Sequence, residues 1–396
     1  MISNRALNIT PSITIDISSK INELKANNID IINLSIGEPN FNVPKKATDY
    51  GIKSLNENRT TYDLVSGLKE LRTEIKKKLQ IENNIIVDED NIVVSSGAKH
   101  AITNSFMALI NPNDEVLIPK PYWVSYPETI KLLGGIPKFL ETFKENSFKI
   151  TKEILKNNIS ENTKALIICN PSNPTGAIYN KDELKEILDF CLENNIYIIS
   201  DEIYESIDFS NNFTSLASLN DKAMDMVITI NGFSKSFAMT GLRIGYSVSN
   251  KHIASYISKI QGHLVSHPSL VSQYIATGAL KYCKEDNKNM VMEYKKRRDI
   301  AIKILKDHNI FEYIKPEGAF YIFINISKLK KYIKYDDSFS KAFCNDILDK
   351  IKVGVVPGIA FGNDDYIRIS LASDPIDLEN GLEKIHKYSK DILGKS

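Results

Sequence analysis

Residues 226–248 read MVITINGFSKSFAMTGLRIGYSV, and this stretch indicates the fold. Two apolar runs rich in β-branched residues, 226–230 and 244–248, flank a polar turn that contains Lys235. Similar runs occur earlier in the chain as NIVVS (91–95), EVLIP (115–119), ALIIC (165–169) and IYIIS (196–200). Near-continuous apolar strands are typical of a sheet buried on both faces, and amphipathic stretches such as 181–195 predict helices beside it. The sequence therefore predicts an α/β fold with a mostly parallel central sheet flanked by helices.

Polar residues follow the predicted strands at the points where they end. Five of these exits read SGAKHA, KPYW, NPSNPTG, DEIY and NGFSK, and they concentrate glycines, prolines and isolated charges. Sheets of this kind bind ligands at the carboxyl ends of their strands. We therefore expect one ligand site along this edge.

The two ends of the chain differ from its middle. A helix-like segment (12–27) and the turn SIGEPNF (35–41) precede the sheet. After about residue 285 a further helix is followed by GAFYIFINI, VGVVPG and YIRISLA, which predict strands of a second, mixed sheet. We predict a large domain over residues 39–284 and a smaller α/β domain built from residues 1–38 and 285–396.

Composition narrows the class of partner. The 396 residues carry a net charge of +1 without a block of five like charges, so neither nucleic acid nor a membrane surface is an expected partner, and small molecules are. The four cysteines show no CxxC or Cys/His spacing, so no metal site is expected. The first residues lack the apolar core of a signal peptide, and no apolar run approaches the ~20 residues that span a bilayer. We expect a cytoplasmic protein.

Lys235 is the first candidate for chemistry. A lysine amine attacks aldehydes when burial or neighbouring groups lower its pKa, and a Schiff base with pyridoxal phosphate is a common use of such a lysine. The phosphate of that cofactor needs a helix start, hydroxyls and an arginine, which residues 96–102, Ser234 and Arg243 could supply. Its pyridine nitrogen needs a carboxylate, and Asp201 follows a predicted strand directly.

Three further residues complete the candidate cofactor site. Trp123 could stack on the ring, and Asn173 and Tyr204 could donate to its phenolic oxygen. Each candidate alone also has an ordinary interpretation: Trp123 as a core residue, Asp201 as the cap of a helix beginning at Glu202, Arg243 as a surface cation. Their order at successive strand ends favours the functional interpretation.

With these motifs the chain resembles the class I and II aminotransferases of the fold type I pyridoxal-phosphate enzymes. Within them it is most similar to the bacterial aspartate aminotransferases that carry GAKHA or GGKQA. The similar segments extend over nearly the whole chain: LSIGEPNF, TTYDLVSGLKELR, SSGAKHAI, IPKPYWVSYPE, NPSNPTGAIY, SDEIYE, NGFSKSFAMTGLRIGY, PEGAFY, VVPGIAFG and YIRISLAS.

The resemblance implies a role for each cofactor residue. Lys235 would form the Schiff base and carry the proton, and Asp201 would pair with the pyridine nitrogen. Asn173 and Tyr204 would bind the phenolic oxygen. Tyr204 would be a catalytic residue together with Lys235 and Asp201. Gly97, Ala98, Ser234 and Arg243 would hold the phosphate, and Trp123 would stack on the ring. Lys99 would also belong to the cofactor site.

It implies substrate contacts as well. Arg368 would grip the α-carboxylate, and Lys99 would read a side-chain carboxylate. Gly37, Trp123 and Asn173 would also face the substrate. Tyr62 would reach the cofactor phosphate of a neighbouring subunit, which implies a homodimer with shared active sites.

The chain departs from the family pattern at three places. The segment 64–67 lacks a common proline, Leu242 replaces a frequent tryptophan, and His267 stands where asparagine or serine is common. Family members place the segment around His267 near the cofactor site of the dimer. The histidine could therefore change cofactor affinity or substrate fit at that site. The matching family prolines predict cis peptide bonds at Lys120–Pro121 and Asn173–Pro174.

The resemblance implies ping-pong transfer of an amino group between L-aspartate and 2-oxoglutarate. A broader or aromatic specificity, or a β-lyase or synthase reaction on the same fold, is the alternative. A non-catalytic sensor half of a transcription regulator is disfavoured, because such proteins carry a DNA-binding domain before this fold and here the fold begins almost at Met1.

Overall fold

A computed structural model describes residues 2–394. The helices, in chain order, are α1 Asn4–Leu7, α2 Ile13–Ala26, α3 Lys45–Asn56, α4 Lys69–Asn83, α5 Ala98–Leu109, α6 Ser125–Leu132, α7 Lys152–Asn158, α8 Lys181–Glu193, α9 Ala223–Met226, α10 Phe233–Ser236, α11 Lys251–Leu264, α12 Leu270–Tyr282, α13 Lys284–His308, α14 Phe339–Ile351 and α15 Pro375–Leu393. The strands are β1 Ile32–Asn33, β2 Ile92–Ser95, β3 Glu115–Pro119, β4 Ile136–Leu140, β5 Thr163–Cys169, β6 Tyr197–Asp201, β7 Val227–Gly232, β8 Gly245–Val248, β9 Glu312–Tyr313, β10 Tyr321–Asn325, β11 Val353–Gly354, β12 Val356–Pro357 and β13 Tyr366–Ser370.

A seven-stranded sheet forms the centre of the fold, with strand order β2-β8-β7-β6-β5-β3-β4. β8 runs antiparallel to both β2 and β7, and the other pairs are parallel. Successive residues of β7 face opposite sides, so Ile228 and Ile230 pack in one apolar cluster and Val227 in another. The predicted mostly parallel α/β sheet, covered on both faces, is confirmed.

The edge strand β4 was not among the predicted strands. Its residues IPKFL contain a proline, and four of the five are at least partly exposed. Proline lacks the N–H of a ladder bond and is tolerated at a sheet edge. A short edge strand of this kind has a weaker apolar signal than the central strands.

The other strands form two separate sheets, so the expected single mixed sheet is wrong. β12, β13, β10 and β9 make a four-stranded antiparallel sheet, whereas β1 and β11 make a two-stranded parallel one. The run VGVVPG divides at Val355, and its halves pair with different partners. Each half is only two residues long, so the chain changes partner without a long connection.

The arrangement of the sheets bears on the predicted domains. β1 comes from the N-terminal segment 1–38 and pairs with β11 from the C-terminal segment 285–396. The seven-stranded sheet lies wholly within 39–284. The division into a large and a small domain stays a prediction, which the positions of these strands support. Residues 1, 395 and 396 of the predicted small domain lie outside the described residues.

Between residues 2 and 394, three X-Pro peptide bonds are cis. Lys120–Pro121 and Asn173–Pro174 agree with the prediction from the family motifs, and Asn170–Pro171 was not predicted. Within residues 2–394, no helix is both long enough and apolar enough to cross a membrane.

Candidate active site

A cavity of about 690 Å³ opens at the carboxyl ends of β5, β6 and β7. Eleven of the predicted site residues line it: Gly37, Ala98, Lys99, Trp123, Asn173, Asp201, Tyr204, Ser234, Lys235, Arg243 and Arg368. They come from segments more than 300 residues apart, and the fold brings them to one place. Ligand cavities in open α/β sheets lie at this edge.

Lys235 lies in α10, which begins directly after β7. Its Nζ donates a hydrogen bond to the carbonyl of Gly37 at 2.5 Å and lies 5.9 Å from the ring centroid of Tyr204. Burial lowers the pKa of Lys235 to about 8; the positive charges of Arg368 and Arg243 act in the same direction, against Glu38 and Asp201. Part of the amine is therefore neutral near neutral pH, and the neutral form is the nucleophile.

Asp201 is the last residue of β6 and is 3% exposed. The hydroxyl of Tyr126 donates to its Oδ2 at 2.6 Å, and the N–H of Ile203 donates to Oδ1 at 3.3 Å. Burial raises the pKa of Asp201 to about 6, while these hydrogen bonds and the charge of Lys235 oppose the increase. The residues after Asp201 form turns rather than a helix, so the helix-cap interpretation does not apply.

The start of α5 forms one end of the cavity. Gly97, the N-cap residue, has φ +85°, and a Cβ there would lie 2.5 Å from Nη2 of Arg243. Nη1 of Arg243 donates to the carbonyl of Thr240 at 2.8 Å. A helix start, a guanidinium and the hydroxyl of Ser234 thus border the same cavity. This combination suits a phosphate group.

Arg368 lies in β13 and is 4% exposed. Its Nη1 donates to Oδ1 of Asn173 at 3.1 Å, its Nη2 donates to the carbonyl of Ser35 at 3.2 Å, and the guanidinium lies over the Tyr321 ring at 4.2 Å. Within residues 2–394 its Nε has no hydrogen-bond partner and no carboxylate forms an ion pair with it. A buried guanidinium without a carboxylate partner is suited to an anionic ligand.

Lys99 lies in the first turn of α5 and faces Trp123. Its Nζ is 5.0 Å from the ring centroid of Trp123. Burial lowers the pKa of Lys99, and the charge of Arg243 adds to the effect. Lys99 is thus a partly buried cation in the same cavity as Arg368.

Two site residues were missed from the sequence. Tyr126 donates to Asp201, and the hydroxyl of Tyr321 lies 3.0 Å from that of Tyr204. Both occur in motifs that carry the resemblance, IPKPYWVSYPE and PEGAFY, but a tyrosine in a motif indicates no partner by itself. Their contacts depend on residues 75 and 117 positions away.

Tyr62 lies apart from the cavity in this single chain. It is 89% exposed, and its ring is 5.8 Å from that of His267. His267 in turn accepts a hydrogen bond from the N–H of Asp63 at 3.2 Å. The predicted role of Tyr62 in a neighbouring subunit stays a prediction.

The donor set fits pyridoxal phosphate. The helix start and Arg243 can hold its phosphate, the close approach at Gly97 leaves space only for glycine, and Asp201 can pair with its ring nitrogen. Lys235 offers an amine of lowered pKa to its aldehyde. The free Nε of Arg368 leaves a donor for a substrate carboxylate.

Comparison with known proteins gives a consistent result. Residues 29–385 match the family described as aminotransferase class I and II. The chain is 39% identical to an aspartate aminotransferase of Bacillus subtilis (strain 168) over 98% of both chains, and 39% identical to a probable aspartate/prephenate aminotransferase of Aquifex aeolicus (strain VF5) over 99% of both. The solved aspartate aminotransferase of Thermotoga maritima superposes with a TM-score of 0.91 at 35% identity, covering 98% of this chain and 99% of that one.

A match over most of the chain to one family model, with relatives of nearly 40% identity over the full length, defines the family. The fold and the donor set of the cavity agree with it. The chain belongs to the class I and II aminotransferases, which are pyridoxal-phosphate-dependent enzymes of fold type I.

Proposed function

We propose that the enzyme transfers the amino group of L-aspartate to 2-oxoglutarate by a ping-pong mechanism in the cavity around Lys235. The observation that carries this proposal is a pair of partly or fully buried cations, Arg368 and Lys99, in one cavity. Both proposed substrates are dicarboxylic acids, so each presents one carboxylate to each cation. The names of the relatives support aspartate as the donor.

The cofactor residues are assigned from the same contacts. Gly97, Ala98, Ser234 and Arg243 would hold the phosphate of pyridoxal phosphate, and Trp123 would pack on the ring. When bound, this cofactor supplies an aldehyde that condenses with amines and a ring that draws electron density from the adjacent carbon. Asp201 would hold the ring nitrogen in its protonated form, and Asn173 and Tyr204 would donate to the phenolic oxygen.

Lys235 would move the proton. Its Nζ has a pKa near 8, so it can take up a proton from the substrate α-carbon and release it again near neutral pH. The hydrogen bond from Nζ to the carbonyl of Gly37 holds the amine at the segment that borders the substrate. Arg368 would bind the α-carboxylate in bidentate fashion and thereby orient the α-hydrogen.

Replacement of Lys99 by alanine should lower kcat/KM for aspartate by about 10- to 100-fold, because a charge-assisted hydrogen bond contributes about 1.5–3 kcal/mol. The values for alanine and phenylalanine should change little, because these donors offer no side-chain carboxylate. Steady-state rates with the three donors and 2-oxoglutarate test this. An equal fall for all three would assign Lys99 to the cofactor site alone.

We also propose a cytoplasmic homodimer with shared active sites. Tyr62 is exposed and lies outside its own cavity, as a residue that serves a partner would. All four cysteines are free thiols, which suits a reducing compartment.

Tyr62→Phe should bind pyridoxal phosphate about tenfold more weakly, since it loses one hydrogen bond to a phosphate. Fluorescence titration of the cofactor-free protein measures this, with Tyr256→Phe, another exposed tyrosine, as the control. A fully active monomer in light scattering, or unchanged affinity in Tyr62→Phe, would contradict the shared site.

One experiment tests the reaction itself. A panel of amino donors is offered with 2-oxoglutarate, and both the 2-oxo acid and glutamate are quantified. Aspartate should give the highest kcat/KM, with one glutamate formed per oxaloacetate. A preference for phenylalanine or tyrosine would favour the aromatic alternative. Release of ammonia without need for 2-oxoglutarate would favour a β-lyase.

A further inference from the structure

Tyr321 is the first residue of β10 and lines the cavity around Lys235. It is 1% exposed, and its hydroxyl lies 3.0 Å from the hydroxyl of Tyr204. The two rings meet edge to face, with centroids 5.8 Å apart and planes 77° apart. Either hydroxyl could donate to the other in this geometry, so the direction of the bond depends on the other partners of each group.

The pairing of β10 with β13 holds the Tyr321 side chain in this position. Phe323 lies directly opposite Arg368 in the antiparallel pair, and Tyr321, two residues before Phe323, is on the same face. Diagonal neighbours on one face are close enough for long side chains to touch. The guanidinium of Arg368 accordingly lies 4.2 Å from the centroid of the Tyr321 ring. The ring is thus held between this guanidinium and Tyr204, which fixes where its hydroxyl points.

Both hydroxyls keep their protons at neutral pH. Burial raises the pKa of Tyr204 well above its ordinary value and also raises the pKa of Tyr321, while the charge of Arg368 opposes both increases. The other titratable groups beside the pair include the thiol of Cys169 and Nζ of Lys235, which is 5.9 Å from the Tyr204 ring centroid. A neutral phenol donates one hydrogen bond and can accept others. The pair therefore has two protons to donate.

The role of Tyr204 decides the direction of the bond between the two hydroxyls. In the proposed function, Tyr204 donates its single proton to the phenolic oxygen of pyridoxal phosphate. The proton between the two hydroxyls then comes from Tyr321, and the oxygen of Tyr204 accepts it. A hydroxyl that accepts a hydrogen bond becomes a stronger donor, because hydrogen bonds in a chain polarise one another. Tyr321 would therefore strengthen the bond that Tyr204 makes to the cofactor.

We propose that Tyr321 is a positioning residue that acts on the cofactor through Tyr204. Its hydroxyl donates to Tyr204, which directs the Tyr204 proton toward the phenolic oxygen and stabilises negative charge on that oxygen. A phenolic oxygen whose charge is stabilised holds the proton of the nearby Schiff-base nitrogen less tightly. Tyr321 thereby lowers the pH at which the Schiff base with Lys235 loses its proton. The proposal rests on the proposed function, which places Tyr204 at the phenolic oxygen.

A pH titration of the substrate-free, cofactor-loaded enzyme tests this role. The visible absorbance of pyridoxal phosphate bound to Lys235 changes as the Schiff base loses its proton, which gives a midpoint. Tyr321→Phe should raise this midpoint by about 0.2–0.7 pH unit, because polarisation contributes a fraction of one charge-assisted hydrogen bond. Tyr294→Phe is the matched control and should keep the original midpoint, because Tyr294 is buried and its hydroxyl has no hydrogen-bond partner within residues 2–394. An unchanged midpoint in Tyr321→Phe, whether or not KM for aspartate rises, would overturn the proposal.

A double variant shows whether Tyr321 acts through Tyr204. Tyr204→Phe should raise the midpoint by about 1–2 pH units, because a whole hydrogen bond to a charged oxygen is lost. Tyr204→Phe/Tyr321→Phe should have the same midpoint as Tyr204→Phe, since a residue that acts only through its neighbour has no effect once that neighbour's hydroxyl is gone. A further rise as large as that in Tyr321→Phe alone would overturn the proposal.

The same titrations separate this proposal from the proposed function. A raised midpoint in Tyr204→Phe without one in Tyr321→Phe would overturn the role of Tyr321 alone. An unchanged midpoint in Tyr204→Phe would overturn the role of Tyr204 in the proposed function and the role of Tyr321 with it.

Discussion

Replacement of Lys235 by alanine should lower the rate of transamination by at least about 10³-fold, within the range expected for loss of a general base. The variant loses the amine that attacks the cofactor aldehyde as well as the group that carries the proton. Burial lowers the pKa of Lys235 to about 8, which makes its Nζ suited to both roles near neutral pH. Single-turnover formation of a 2-oxo acid from aspartate measures the chemical step directly.

Two comparisons separate this role from a structural one. Lys235→Arg keeps a positive charge but cannot release a proton near neutral pH, so it should be as impaired as the alanine variant. Lys222→Ala removes an exposed lysine directly before α9 and should keep full activity. Both Lys235 variants should retain bound pyridoxal phosphate, measured after denaturation, because the phosphate contacts stay. Substantial turnover by Lys235→Ala would remove Lys235 from the mechanism.

The central strands could be predicted because burial on both faces leaves a continuous apolar run. EVLIP was predicted at 115–119, and β3 has the same bounds. The edge strand β4 is partly exposed and contains Pro137, so its sequence does not have that property. The run VGVVPG did predict strands, but which sheet each half joins depends on the distant strands β1 and β13.

The site shows the same division between local and distant information. The chemical types of Lys235, Asp201 and Arg368 could be selected because their motifs follow strands or match family positions. The hydrogen bond from Tyr126 to Asp201 joins residues 75 positions apart. The sequence predicted the carboxylate of Asp201 as a site group, but it did not predict the hydroxyl of Tyr126 that donates to it. That contact forms only when β6 and α6 pack together.

Asp201→Ala should reduce kcat by at least about 10²–10³-fold, the usual effect of removing one buried electrostatic partner from an active site. Asp201 is ionised above its pKa of about 6 and lies in a site shielded from water. Its charge would keep a proton on the cofactor ring nitrogen, and without it the ring draws less electron density from the substrate. Asp201→Asn keeps the shape without the charge and should be similarly impaired.

Tyr126→Phe provides the matched control, because it removes the hydrogen bond to Oδ2 and keeps the carboxylate. Its activity near pH 8 should fall only about three- to tenfold, the effect of one hydrogen bond to a charged group. A donor to a carboxylate lowers its pKa, so losing Tyr126 should raise the pKa of Asp201 and move the acid limb of the pH–rate profile upward. Equal losses in Tyr126→Phe and Asp201→Ala at pH 8 would mean that Asp201 only anchors Tyr126. A large loss in Asp201→Asn with a small, pH-shifted loss in Tyr126→Phe would place the function in the charge itself.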